Sequence, residues 1–305
     1  MVSRYTHKSV TWVDVETPTK EEVRKLMAEF SIHPLVAEEL LLPTVKPKVE
    51  LYNDQFIYLI LHFPAFRHTH GAGTDQEVDF IIGRNFIITT RYDTIDPLHK
   101  FSKIFEVNSI LDRSDIGEHA GFVFFYMIKK LYKALEHELE YISDRLHATE
   151  EHIFKGMEKE MVIELSNISR ELLAFKQAVA LHREVLESFE IAARSFFGDD
   201  YAFHTRAILG EFHRINAGIL AQLDWLVELR ETNNSLLTTK QNEVMKILTI
   251  MAFVTFPLSL LASIFGMQTT YLPFVGHPND FWIIIGVMGI AMFFFFLFFK
   301  YKKWL

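Results

Sequence analysis

Two stretches of this sequence, residues 247–265 and 281–299, each run for 19 residues without a charge. About 20 helical residues are enough to cross the hydrocarbon core of a bilayer. Inside lipid the backbone must satisfy its own hydrogen bonds, so a segment of this length is restricted to a helix. Lys246 is the last charge before the first run, Asp280 is the only charge between the runs, and Lys300 follows the second. The second run ends in FFFFLFF, a string suited neither to water nor to a packed soluble core. The pattern predicts an integral membrane protein with two C-terminal transmembrane helices. Lys240 and Lys246 precede the pair, and Lys300, Lys302 and Lys303 follow it, whereas the connector 266–280 has no Lys or Arg. By the positive-inside rule, both ends of the hairpin face the cytoplasm and the connector lies outside.

The rest of the chain is of a different kind. Half of the 305 residues are hydrophobic, yet 23% are charged, so the apolar residues are concentrated rather than spread. A net charge of −8 argues against a general nucleic-acid binder, which carries a basic face. The absence of Cys excludes disulfides, thiolate metal sites and Cys nucleophiles. The opening MVSRYTHKSV has no apolar core and does not read as a signal peptide, so the soluble part is expected to remain in the cytoplasm.

Residues 1–115 read as α/β. Strand-like runs occur at 10–15 (VTWVDV), 56–61 (FIYLIL) and 78–82 (VDFII). The turn Gly83-Arg84-Asn85 leads into 86–90 (FIITT), a predicted hairpin partner, and His68 to Gly73 suggests the tip of an earlier connection. Thr19 and Glu22 form a capping box that opens a helix toward Phe30. From about Ser114 the period becomes helical, with Leu131, Leu135, Leu139, Ile142 and Leu146 at spacings of four and three. After Gly156 a heptad seam runs through Met161, Leu165, Ile168, Leu172, Phe175, Val179, His182, Leu186 and Phe189, and Gly198-Asp199-Asp200 ends it. A third helix carries Ile208, Phe212, Ile215, Ile219, Leu226, Leu229 and Leu236, with no Pro between Leu209 and Lys246. It is expected to exceed ~50 residues, a stalk rather than a core helix.

Two transmembrane helices cannot enclose a water-filled path, so conduction requires several copies around an axis. The first segment is the better lining candidate, because Thr249, Thr255, Ser259 and Ser263 interrupt its apolar residues. Such small polar residues also serve ordinary helix packing. Gly286 and Gly289 allow close approach in the second, Phe-rich segment, which reads as lipid-facing.

Residues 242–249 (NEVMKILT), Phe256-Pro257-Leu258, Ile264-Phe265-Gly266-Met267 and the basic ending 300–305 (KYKKWL) closely resemble the end of the CorA family of divalent metal ion (magnesium/cobalt) transporters. Weaker similarity runs through Trp12-x-Asp14, Ile32-His33-Pro34, Glu38-Glu39, Pro47-Lys48-Val49 and 85–89 (NFIIT). The resemblance implies an α+β membrane protein assembled as a homopentameric funnel. Its parts would be an α/β cytoplasmic domain (1–115), long cytoplasmic helices and stalk (116–246), and a pore-lining transmembrane helix (247–265). An outer loop with the signature (266–280), a second transmembrane helix (281–299) and a basic cytoplasmic tail (300–305) would complete it. It also implies an ion pathway through Asn242 at the cytoplasmic mouth, Ser259 within the pore, and Gly266 and Gln268 at the outer entrance. Met245, Leu248 and Phe256 would be apolar rings that gate by excluding water. No resident cofactor is implied; the divalent cation is cargo and, at a regulatory site, a ligand.

The chain departs from the family at three points. The signature Gly-Met-Asn is here Gly266-Met267-Gln268, and the outer loop has one acid, Asp280. Phe253 and Phe256 stand in pore-adjacent turns, where together they would make a narrow, dry constriction. A CorA-like protein that does not conduct magnesium, acting as scaffold or sensor, is therefore the alternative.

Elsewhere, His62, His68 and His70 with Asp75 and Glu77 have the donor types for a transition metal, although exposed loop histidines need no ligand. His182 in the helical seam reads as a packed, hydrogen-bonded core residue. Ala207 stands where a regulatory stalk acid is sought by alignment, with Glu211, Asp224, Glu228 and Glu231 nearby. No phosphate loop, carboxylate pair in an apolar setting or nucleophile triad is evident, so the chain is not expected to be an enzyme.

Overall fold

The computed structural model describes residues 1–7, 9–44, 46–52, 54–64, 76–92, 95–106, 119–267 and 279–302. They form two compact units, Met1–Arg230 and Glu231–Leu305.

The first unit is built on a six-stranded sheet. In chain order its strands are β1 (Val2–His7), β2 (Val10–Glu16), β3 (Lys48–Tyr52), β4 (Phe56–Phe63), β5 (Gln76–Gly83) and β6 (Phe86–Arg91). Their spatial order is β1-β2-β6-β5-β4-β3, with every neighbouring pair antiparallel except β2 and β6. β4 and β5 are almost wholly buried because both faces of the sheet are covered, which explains why they read as continuous apolar runs rather than alternating ones. On one face Val13, Val15, Tyr58, Ile60, Ile81 and Ile88 pack against α1 (Lys20–Phe30) and α2 (Pro34–Glu39). On the other, Phe80 meets Phe124 edge-on at 5.2 Å and Phe63 meets Tyr132 at 6.3 Å.

The expected capping box is present: Glu22 N–H donates to the Thr19 hydroxyl and Thr19 N–H to the Glu22 carboxylate. The β5–β6 hairpin also forms, with Ile82 opposite Ile87. Gly83 is required there because a Cβ would lie 2.2 Å from the Phe86 ring. The 68–73 connection lies outside the described residues. Four elements were not anticipated: β1, β3, α2 and α3 (Asp96–Glu106). β1 is a mixed polar edge strand that lays Tyr5 on Trp12 at 4.9 Å.

The helical part comprises α4 (Ala120–Phe154), α5 (Glu158–Val179), α6 (His182–Phe197) and α7 (Ala202–Phe265), with a 3-10 turn at Asp199–Tyr201. Leu131, Leu135, Leu139, Ile142 and Leu146 of α4 are buried, as their spacing requires. The seam from Met161 to Phe189 is not one helix. It breaks at Ala180 and Leu181, where no Gly or Pro marks a turn. The break is anchored by His182, whose imidazole is fully enclosed. One ring nitrogen lies 2.8 Å from the Tyr132 hydroxyl and the other 2.7 Å from the His62 carbonyl oxygen. Burial lowers the His182 pKa to about 4, so the ring is neutral and serves as the core residue expected of it. The run does end at Gly198, which adopts φ +101°, a conformation that favours glycine.

The second unit contains the last part of α7 and α8 (Asp280–Tyr301). α7 is one unbroken helix of 64 residues, longer than the sequence required. Both helices are long and apolar enough to cross a membrane, and their most apolar stretches are unburied within the chain.

Candidate ion pathway

Five of the candidate pathway and gate residues, Asn242, Met245, Leu248, Phe256 and Ser259, lie on α7. At 100° per residue, Asn242, Met245, Leu248, Phe256 and Ser259 fall within an arc of roughly 120°. All five are exposed in the single chain; Met245 is 60% and Phe256 73% accessible. A helix face that combines large apolar side chains with an amide and a hydroxyl, and is left exposed by the other described residues, is suited to surroundings other than water.

Local chemistry keeps the helix intact along this face. The Thr249 hydroxyl returns its proton to the Met245 carbonyl at 2.7 Å, so it adds no unpaired donor to the apolar stretch. Pro257 has no N–H to offer the Phe253 carbonyl, yet the helix continues to Phe265. At Gly266 the helix closes: its N–H bonds the Ala262 carbonyl at 2.9 Å, and Met267 N–H tightens onto Ile264 at 3.3 Å. A Cβ on Gly266 would sit 3.1 Å from the Ala262 oxygen, a close contact that favours glycine at this exit. Gln268 lies outside the described residues.

Phe253 stands just outside the arc. It lies roughly a quarter turn from the centre of the arc and lines an apolar groove with Ala291, Phe294 and Phe298 of α8.

The other candidates resolve into structural bonds. His62 Nε2 sits 3.0 Å from the Thr44 carbonyl and 3.2 Å from Glu77, and Glu77 also accepts from the Thr44 N–H and hydroxyl. His68, His70 and Asp75 lie outside the described residues. Glu211 is held by Arg214 and lies 3.9 Å from Lys129, whereas Asp224, Glu228 and Glu231 are exposed on α7. Among the described residues, no group of three or more His, Asp or Glu is placed to hold a metal.

The family-like residues of the first unit come together as a scaffold. Trp12 Nε1 donates to the Thr89 hydroxyl at 2.9 Å, which donates to Asp14 at 2.7 Å. Arg91 closes this buried chain on Asp14 at 3.1 Å. His33 caps α2 with Pro34 in its first turn, and Lys48 pairs with Glu39 at 2.7 Å. Nearby Asp79 is fully enclosed. Burial first, and then the adjacent Glu77 carboxylate, pushes its pKa well above the usual range.

The match to known proteins covers nearly all of this architecture. The chain is 26% identical over 299 residues to the cobalt/magnesium transport protein CorA of Thermotoga maritima, spanning 97% of this chain and 83% of the relative. It is 22% identical over 302 residues to that of Methanocaldococcus jannaschii, spanning 96% and 91%. The complete structure of the CorA magnesium transporter from M. jannaschii superposes with a TM-score of 0.84 at 20% identity, covering 99% of this chain and 93% of that one. The full-length CmaX protein gives 0.74 at 16% identity, covering 97% and 89%. The family model for the CorA-like Mg2+ transporter protein matches residues 7–302, and the chain belongs to that family.

Proposed function

We propose that this chain is one of five identical subunits of a cytoplasmic-membrane channel for a hydrated divalent cation, lined by residues 247–265. The observation that carries the reading is the single exposed face of α7 bearing Asn242, Met245, Leu248, Phe256 and Ser259. Relatives named as cobalt/magnesium transport proteins support the choice of cargo. Five such faces around an axis place an amide ring at the cytoplasmic mouth. Three apolar rings follow, of Met245, Leu248 and Phe256, whose dewetting closes the path, and then a hydroxyl ring where the ion passes. Gly266, Met267 and Gln268 form the outer entrance. Lys246, Lys300 and Lys302 put both ends of the hairpin on the cytoplasmic side.

Ion uptake into proteoliposomes with Mg2+, Co2+, Ni2+ and Zn2+ tests this directly. Uptake of at least one ion, saturating and dependent on the protein, is expected. Silence with all four would favour the scaffold or sensor reading, which Gln268, Phe256 and the single acid of the outer loop motivate. Phe253, which is exposed on α7 and also lines a groove with α8, belongs to the same alternative.

The ring arrangement has its own test, made simple by the absence of native Cys. Met245→Cys is expected to give disulfide-linked subunits in oxidised membranes, and Phe281→Cys is not. The reverse pattern would remove α7 from the axis.

A further inference from the structure

The second unit contains an apolar groove that the ion pathway does not use. Ala291, Phe294, Phe298 and Lys302 follow one another on α8 at spacings of three, four and four, so they share one helix face. Together with Phe299 and with Phe253 of α7, they enclose a cavity of about 850 Å3. Every wall is apolar or aromatic except at one end, where Lys302 stands. Lys300 is two residues earlier, and Lys246 is two turns (~10 Å) before Phe253 at the same end. None of these three lysines is in an ion pair among the described residues.

We infer that this groove binds an anionic phospholipid of the cytoplasmic leaflet, with an acyl chain along the phenylalanines and its phosphate on Lys302. The inference rests on the membrane-spanning reading of the two helices and on their orientation. Charge complementarity selects the occupant. A helix from a second copy would bring apolar surface from residues 247–265 or 281–299, which contain no acid, and at the lysine end of α7 a single carboxylate, Glu243. That carboxylate is flanked by Lys240 and Lys246 of its own helix, so such a neighbour would add no net negative charge to offset Lys302. A lipid supplies both apolar chain and anion in the order the groove presents them. Juxtamembrane lysines attract acidic lipids with a strength that corresponds to about five-fold in affinity per lysine.

Native mass spectrometry of the detergent-purified full chain, titrated with phosphatidylglycerol or phosphatidylcholine of the same acyl composition, tests the inference. The wild type is expected to retain phosphatidylglycerol at least about five-fold better. Lys302→Gln should reduce that preference about five-fold while leaving the subunit count unchanged. Ala291→Trp should fill the groove and weaken retention of both lipids. Equal retention of the two lipids by the wild type, or an unchanged preference in Lys302→Gln, overturns the inference. So does an Ala291→Trp protein that loses subunits but keeps its lipid, because the groove then belongs to a neighbouring copy. The readout involves no ion flux, so it stands apart from whether the protein conducts, and the subunit count in the same spectrum tests the pentamer separately.

Discussion

Asp14→Ala is expected to lower the unfolding midpoint of the Met1–Arg230 unit by about 10 °C. Breaking a buried ion pair by removing one partner costs about 3–5 kcal/mol, and a unit of this size shifts by roughly 2–4 °C per kcal/mol. Asp14 and Arg91 are both nearly inaccessible, and the pair joins β2 to β6, the only parallel neighbours in the sheet. The substitution takes the Asp14 carboxylate from the buried Arg91 guanidinium, weakening its charge pairing, and leaves the Thr89 hydroxyl without its acceptor. Asp14→Leu combined with Arg91→Met should recover most of the loss, because two apolar groups of similar size carry no uncompensated charge. Thermal unfolding of the full chain in detergent, followed by circular dichroism, measures both. A shift below about 2 °C for Asp14→Ala would show that Glu16 and solvent satisfy Arg91 without Asp14.

The parts of the fold that were legible are those set by composition over a long window. Nineteen uncharged residues admit one structure in lipid, and they were read correctly twice. The leucine spacing of α4 likewise has one economical interpretation, and its residues are buried as it demands. The break between α5 and α6 was illegible for a physical reason. The seven-residue spacing continues from Val179 through His182 to Leu186, and Ala180 and Leu181 are ordinary helix formers. What turns the chain is a tertiary bond pair, from His182 to Tyr132 and to the His62 carbonyl, with partners 50 and 120 residues away. β1 was missed because an edge strand buries little and need not alternate cleanly.

The candidate site divides in the same way. A period near 3.5 puts five residues of α7 within one arc, and all five are exposed. The family-like residues of the first unit, by contrast, form the Trp12–Thr89–Asp14–Arg91 chain and the Glu39–Lys48 pair, which hold strands and helices together. Phe253 shows where spacing alone runs out. Its position lies about 20° beyond the edge of the arc, beside Asn242, and it lines a groove with α8 while remaining exposed.

Gln268→Asn is expected to raise Mg2+ flux relative to that of larger or softer divalent ions, and Gln268→Ala to abolish discrimination among them. Gln268 follows Met267 at the exit of α7, and five copies would place five amides around the outer mouth. Mg2+ dehydrates reluctantly, so a ring that recognises its water shell by hydrogen bonds is better suited to it than one that strips the shell. Asparagine shortens each arm by one carbon–carbon bond, ~1.5 Å, and two facing arms change the opening by more than a hydrogen bond tolerates. It also removes one torsion, so the amide is held more firmly. Alanine leaves no polar group to recognise the shell. The measurement is uptake of each ion into liposomes by the wild type and the two variants side by side. Passage also depends on the aromatic rings of α7, Phe256 first among them. If all three proteins are silent, Phe256 or a wider loss of function prevails and the channel reading fails. If all three conduct alike, Gln268 merely ends a helix, and selection passes to the Ser259 hydroxyl and the Asn242 amide.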